Sequence, residues 1–274
     1  RHPIPLLPLP LLSVNGEPVS FWPLALLLLA ALGAGWIDAV VGGGGLIQLP
    51  ALLLFPGITP VQALATNKLG SIFGTATSAV TYYRRTSPDL KTAIPMALTA
   101  MLGAFGGAAL ATILPAEAIQ PIIIAALIAV LLFTILKPKA GELSRLRYTG
   151  HGHYLRAILI GLLIGGYDGM IGPGTGSFLI IAMVTVLGYN FLQSSAKAKI
   201  VNLCTNLGAL LLFIPTGHVL AALGLAMGLM NMLGGYLGAR MAISKGSAFI
   251  RIVFVIVVSA LIIKLGSDLI LAGN

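Results

Sequence analysis

Six stretches of this chain contain no charged side chain: 18–37, 39–67, 92–116, 118–136, 169–196 and 200–239. An α-helix needs roughly 20 apolar residues to cross the ~30 Å hydrocarbon core of a bilayer, and every stretch reaches about that length. Barrel strands alternate polar and apolar residues over about 10 positions, and these runs do not. Overall 58% of the residues are hydrophobic and 8% charged, against about 45–50% and about 25% in soluble domains. With only 16 Lys+Arg and 7 Asp+Glu in 274 residues, the chain cannot clothe a water-exposed surface. A soluble enzyme, a disordered chain and a nucleic-acid module are excluded. The expected fold is all-α, a polytopic membrane protein.

The charges that do occur are placed unevenly. Arg84, Arg85 and Lys91 form one basic group; Lys137, Lys139, Arg145, Arg147 and Arg156 a second; Arg240, Lys245 and Arg251 a third. Lys and Arg concentrate in cytoplasmic loops of membrane proteins, so the net charge of +9 records topology rather than a nucleic-acid partner. Turn and charge signals divide the chain into a Pro-rich peripheral segment (1–20), a first set of apolar segments at 21–41, 46–56, 60–83, 92–113 and 117–136, a basic linker (137–156), and a second set at 157–171, 177–188, 192–215, 219–241 and 248–270.

The two sets resemble each other. An offset of 130 carries Leu32, Gly35, Asp38, Gly42 and Gly44 onto Leu162, Gly165, Asp168, Gly172 and Gly174, and an offset of 131 carries 101–108 onto 232–239. This predicts two repeats, 21–136 and 157–274, of about five helical segments each. An odd number of segments per repeat inverts the second relative to the first, and inversion brings all three basic groups to one face. That face is expected to be cytoplasmic in the cell (inner) membrane, with both termini on the opposite side. The segments 46–56 and 177–188 are short, 46–56 reaching about half of the hydrocarbon core as a helix, and follow glycine clusters, so broken helices are expected in both halves, whether each piece spans fully or re-enters.

Those clusters carry the chemistry. Gly42, Gly43, Gly44 and Gly45 follow Asp38, and Gly172, Gly174, Thr175 and Gly176 follow Asp168. Unwound backbone at membrane depth is tolerated only within protein or beside a water-filled cavity, and glycine permits close approach of a ligand. Half-helices starting near Leu46 and Ser177 aim N–H groups at that cavity, and helix N-termini attract anions. Asp38 and Asp168 each carry an insertion penalty of about 2.5–3.5 kcal/mol at the bilayer centre; each either takes up a proton or holds its own glycine loop. Asn67, Ser71, Gly74 and Ser78 share one helix face, as do Asn202 and Asn206. Lys68, Lys197 and Lys199 lie in or at the edge of apolar segments. They serve an anionic substrate, reach to the interface, or pair with Asp38 and Asp168.

The single cysteine, Cys204, excludes an internal disulfide. His151 and His153 fall in the basic linker with nothing to pair them into a metal site, so no cofactor or metal is expected. Ser177 lacks a nucleophile-elbow pattern and no histidine sits in an apolar segment, which argues against an intramembrane hydrolase.

The stretch Ala34–Gly45 with its Gly-Trp-Ile-Asp-Ala-Val-Val-Gly-Gly-Gly-Gly core, then Pro50, Ala65-Thr66-Asn67-Lys68, Tyr167–Ser177, Ala196–Asn202, Gly234–Arg240, Lys245 and Phe249–Arg251, resembles the sulfite exporter TauE/SafE family over about residues 22–268. The resemblance implies an inner-membrane permease for small sulfur-containing anions such as sulfite, thiosulfate and organosulfonates. The expected partners are then a small anionic substrate and membrane lipid. An anion channel, or a permease for another small anion, is the alternative.

Overall fold

The computed structural model describes residues 8–14, 17–113 and 143–272. A short antiparallel hairpin, β1 (Pro8–Val14) and β2 (Glu17–Ser20), leads into α1 (Phe21–Val41). The all-α expectation did not contain this hairpin. Its signal was the Asn15-Gly16 dipeptide between the strands, which favours a tight hairpin turn. Then come α2 (Gly45–Leu53), α3 (Pro60–Thr86) and α4 (Leu90–Ala111), followed past the linker by α5 (Gly150–Met170), α6 (Thr175–Ala182), α7 (Phe191–Phe213) and α8 (Ala221–Ala272). A π-helical turn, Met183–Leu187, extends α6, and Gly246 breaks α8 into two arms. The segment expected at 117–136 lies outside the described residues.

Local chemistry explains the boundaries. Thr59 and Gln62 form a reciprocal capping box ahead of Pro60 and start α3. Asp89 caps α4 and Asn190 caps α7, each accepting from a backbone N–H in the first turn. Gly42 ends α1 at φ +78° and returns its N–H to Asp38 O at 2.8 Å. That left-handed conformation suits glycine at a helix C-terminus.

Among the described residues α1, α4 and α7 are long and apolar enough to cross a membrane. The outer surface carries Leu26, Leu29, Leu102, Leu163, Leu211 and Ile256 exposed, a distribution suited to lipid and not to water. Inside, helices meet through small residues. Gly103 and Gly107 of α4 face Leu162 and Gly166 of α5, and Gly165 and Gly169 of α5 face Ala100 and Ala104 of α4. Gly35 of α1 faces Asn231 of α8, while Gly234 and Gly238 of α8 face Leu32 and Trp36 of α1. Such contacts replace the hydrophobic drive that lipid cannot supply. The packing thus links α1 to α8 and α5 to α4, each contact joining an early helix to a late one.

Three inter-element hydrogen bonds gather the basic regions at one end of the bundle. Gln193 Nε2 donates to Thr86 O at 3.2 Å, Asn190 N to Ser144 Oγ at 3.0 Å and Leu192 N to Ser247 Oγ at 3.2 Å. The linker also pairs with the turn after the π-helix, Arg145 N donating to Gly188 O at 2.7 Å and Arg147 N to Leu187 O at 3.1 Å.

Candidate functional site

The helices α1 and α5 both end in the middle of the molecule, and the short helices α2 and α6 restart there. The two glycine turns touch. Ser177, in the first turn of α6, donates its N–H to Gly42 O at 3.3 Å and its hydroxyl to Val41 O at 2.7 Å. Part of the donor capacity expected to face an anion is therefore spent on the open C-terminal carbonyls of α1, groups that every helix end must satisfy. Gly172 and Gly174 adopt φ +90° and +81°. The second turn is further fixed by Tyr167, whose hydroxyl donates to Pro173 O at 2.6 Å.

Around this junction lies a cavity lined by Asp38, Gly42, Gly45, Asn67, Lys68, Ser71, Thr75, Asp168, Gly172, Thr175, Gly176, Asn202 and Asn206. Centres of water-sized spheres fit in about 20 Å³ of it, room for water but not for a sulfur oxyanion of several heavy atoms. Its charges are paired across the chain. Lys68 of α3 meets Asp168 of α5, Nζ to Oδ2, at 2.7 Å, and Lys199 of α7 meets Asp38 of α1, Nζ to Oδ2, at 2.9 Å. Lys199 Nζ also donates to Asp38 O. Both lysines are buried, 2% and 0% exposed. Of the three possibilities open for these lysines in the sequence, pairing with the two aspartates is the one adopted, and the partners are exchanged between the early and late halves.

The polar remainder is unevenly satisfied. Thr175 Oγ1 donates to Asp168 Oδ1 at 2.7 Å. Asn206 Nδ2 donates to Thr75 Oγ1 at 3.4 Å and Thr205 Oγ1 to Asn202 Oδ1 at 3.3 Å. Asn67 is 4% exposed and its Oδ1 has no hydrogen-bond partner, a state that native interiors rarely leave unfilled. An amide turns its O and N by rotation, so Asn67 is equipped to offer a donor to a guest in the cavity.

Not every expected residue reaches this cavity. Gly43 and Gly44 are turn residues behind it, Gly44 packing on Ala34 and Asp38. Gly174 caps α6. Lys197 points elsewhere: two residues along a helix rotate it about 200° from Lys199, and it lies over the Tyr189 ring at 3.8 Å with Gln193 Oε1 at 3.3 Å. Two residues passed over in the sequence support the site from behind. Gln48 of α2 and Asn231 of α8 are buried and joined, Asn231 Nδ2 donating to Gln48 Oε1 at 2.7 Å and to Ala31 O at 3.2 Å. Gln48 Nε2 reaches Asn67 O at 3.5 Å. An amide in each of two strongly apolar segments was the available signal.

Lys197 belongs to a second polar cluster at the basic end. Thr92 and Tyr189 both donate their hydroxyl to Asp89 Oδ2, at 2.6 and 3.1 Å. With those hydrogens committed, His153 Nε2, 3.0 Å from Thr92 Oγ1 and 3.3 Å from Tyr189 Oη, must be the donor, and its Nδ1 is buried without a partner. The sequence placed His153 in a loop; it is a buried residue of α5. Burial, against the pull of Asp89 and with the push of Lys197, holds the imidazole below its ordinary value of 6.5. Burial would raise the Asp89 carboxyl, but the Thr92, Tyr189 and Lys91 hydrogen bonds, with Lys197, hold it low. Burial first, and Asp89, push Tyr189 up to about 12.

Both depressed groups act in one direction. A group that binds its proton less well when folded stabilises the fold at higher pH, and that stabilisation is lost as pH falls. Acidification below the ordinary histidine value of 6.5 is therefore expected to loosen 187–193. Hydrogen exchange there, corrected for intrinsic rates, should accelerate between about pH 7 and 5, and His153→Gln should remove the part arising near neutrality. Unchanged protection across that range would contradict this assignment.

The sequence profile of the sulfite exporter TauE/SafE family matches residues 27–265. The chain is 41% identical over 252 residues to the probable membrane transporter protein ORF9 of a Sinorhizobium species, covering 92% of this chain and 95% of that protein. It is 37% identical over 246 residues to the probable membrane transporter protein YfcA of Escherichia coli strain K12, covering 89% and 90%. A probable membrane transporter protein of Haemophilus influenzae is 34% identical over 233 residues, covering 85% and 90%. No solved structure gives a significant match. The chain is thus a membrane transporter that belongs to the sulfite exporter TauE/SafE family.

Proposed function

We propose that the protein is a secondary transporter of small sulfur-containing oxyanions, of the sulfite, thiosulfate and organosulfonate class, and that it works by alternating access between two inverted halves. The observation that carries this reading is a cavity lined by Lys68, Asp38 and Asp168 midway along the bundle, with two buried lysines, Lys68 and Lys199, each held by an aspartate from the other half. A lysine at membrane depth is expensive without a partner, and the partnership here is one that an entering anion can replace.

Further support comes from the chemistry around the lysines. Asn67, Asn202 and Asn206 present amides, and Ser71, Thr75 and Thr175 present hydroxyls, to the same space. Gly45 and Gly176, in the first turns of α2 and α6, bring two positive helix ends to it. The offsets of 130 and 131 relate Asp38 to Asp168 and Lys68 to Lys199, and they relate the α1–α8 glycine contacts to the α5–α4 ones, as an inverted repeat requires. In this reading the basic end faces the cytoplasm of the inner membrane, both termini lie on the other side, and a proton gradient is the coupling force.

A cavity with room for only about 20 Å³ of water-sized sphere centres fits a carrier, which opens to one side at a time, better than an anion channel, which needs a continuous polar path. Reconstituted protein should show saturable uptake of radiolabelled thiosulfate, competed by sulfite and by an organosulfonate. Unsaturable flux with single-channel conductance would favour a channel, and no flux of any sulfur oxyanion would remove the proposal.

A further inference from the structure

The two lysine–aspartate pairs are related by sequence offset, yet the structure does not treat them alike. Lys199 Nζ has two acceptors on one residue, the Asp38 carboxylate at 2.9 Å and the Asp38 carbonyl. That carbonyl also receives the N–H of Gly42, so it is part of the α1 cap. Neutralising the Asp38 carboxylate would leave Lys199 still hydrogen-bonded to backbone that cannot be protonated or released without unwinding α1. Lys68 is different. Its ammonium is held by Asp168 Oδ2 at 2.7 Å, and a proton on that carboxylate leaves it without a counter-charge, beside Gly172 and the cavity.

From this difference we propose that Lys68–Asp168 is the working pair and Lys199–Asp38 the fixed one: a proton binds Asp168 as the anion binds Lys68, one proton per anion. This inference rests on the transporter reading above. The exchange is balanced. The proton goes to Asp168 Oδ2, the Lys68–Asp168 ion pair opens, and the oxyanion takes the place of the carboxylate on Lys68 Nζ. Release on the other side reverses each step. Without the proton, anion binding would strand an ionised carboxylate that is only 3% exposed, which is the arrangement that buried charges avoid.

The groups facing Asp168 are consistent with this role. From α3 comes Lys68; from α6 comes the Thr175 hydroxyl, 2.7 Å from Oδ1. Asp38 of α1 lines the same cavity and is neutralised by its partner Lys199 of α7. The neighbouring Tyr167 is engaged with Pro173 O. The packed face of α4 offers only Ala100, Gly103, Ala104 and Gly107, and so no competing charge. Thr175 holds the Asp168 carboxyl in place through its 2.7 Å hydrogen bond to Oδ1, making it a positioning residue for the proton site.

The test uses full-length protein in proteoliposomes with radiolabelled thiosulfate, reading both counterflow and accumulation driven by a pH gradient. The wild type should accumulate thiosulfate against its gradient toward the alkaline compartment. Asp168→Asn, which leaves the Lys68 ammonium without its counter-charge, should lower the amount of folded protein, while the protein that folds retains counterflow at a rate that no longer changes with pH and loses gradient-driven accumulation at least tenfold. Asp38→Asn should lower the amount of folded protein and the rate while the surviving flux keeps its pH response. Thr175→Val, which removes no charge but deletes the hydrogen bond to Asp168 Oδ1, should alter the pH response of the flux, and Thr175→Ser, which keeps the hydroxyl, should restore it. Gradient-driven accumulation that survives Asp168→Asn, or a pH response lost with Asp38→Asn instead, overturns the assignment. Wild-type counterflow indifferent to the gradient overturns the coupling and leaves the transporter reading standing; absence of wild-type counterflow overturns both.

Discussion

Lys68→Met is expected to destabilise the protein strongly, and Lys68→Met combined with Asp168→Asn is expected to restore most of that loss without restoring transport. The single substitution leaves the Asp168 carboxylate 3% exposed and deprived of the ammonium that lies 2.7 Å from it. Breaking a buried pair from one side costs about 3–5 kcal/mol, whereas replacing both partners with neutral groups is often close to neutral. Thermal unfolding in detergent should therefore show a large drop in Tm for the single variant and a small one for the double. Saturable flux should be absent in both. A double variant as unstable as the single would mean that the Lys68 stem packs structurally and that its charge is incidental.

The second large effect is expected at the contact between the two turns. Gly42 sits at φ +78°, and a Cβ there would run into the Gly176 backbone; a Cβ on Gly176 would likewise run into Gly42. Backbone cannot rotate away as a side chain can, and the left-handed conformation adds strain at Gly42. Gly42→Ala and Gly176→Ala should each prevent assembly of the two half-helices, seen as loss of monodisperse folded protein after detergent extraction. Gly106→Ala, with nothing within 4 Å of its added Cβ, should be tolerated. Well-folded Gly42→Ala protein would contradict the close meeting of the turns.

The helices and their breaks were legible because their causes are local. The stretch 21–41 and the short segment after Gly45 follow from charge-free length and a glycine cluster, and the structure ends α1 at Val41 and starts α2 at Gly45. The basic groups meet at one end through the Gln193–Thr86, Asn190–Ser144 and Leu192–Ser247 hydrogen bonds, as the clustering of Lys and Arg in loops led one to expect. Partner choice was not legible. That Lys68 takes Asp168 and Lys199 takes Asp38 depends on how the two halves interlock, which no spacing within one half encodes. The same holds for Lys197. Its cost in an apolar segment is equally visible in the sequence, but only the packing of α7 on Tyr189 shows that it faces away from the cavity. His153 was hidden because its first helical turns read as linker, and the N-terminal hairpin because prolines outweighed the Asn15-Gly16 turn signal.

An oxyanion entering the cavity between the two turns should displace Asp168 from Lys68. Selenite, a heavier stand-in for sulfite, tests it most directly through anomalous diffraction from crystals of the full-length protein grown in lipid. One dominant anomalous peak is expected within hydrogen-bonding distance of Lys68 Nζ and the Asn67 and Asn202 amides, with the Lys68–Asp168 contact opened and Lys199 still on Asp38. A peak at another site, or an empty cavity at a selenite concentration that fully competes with thiosulfate flux, would contradict it.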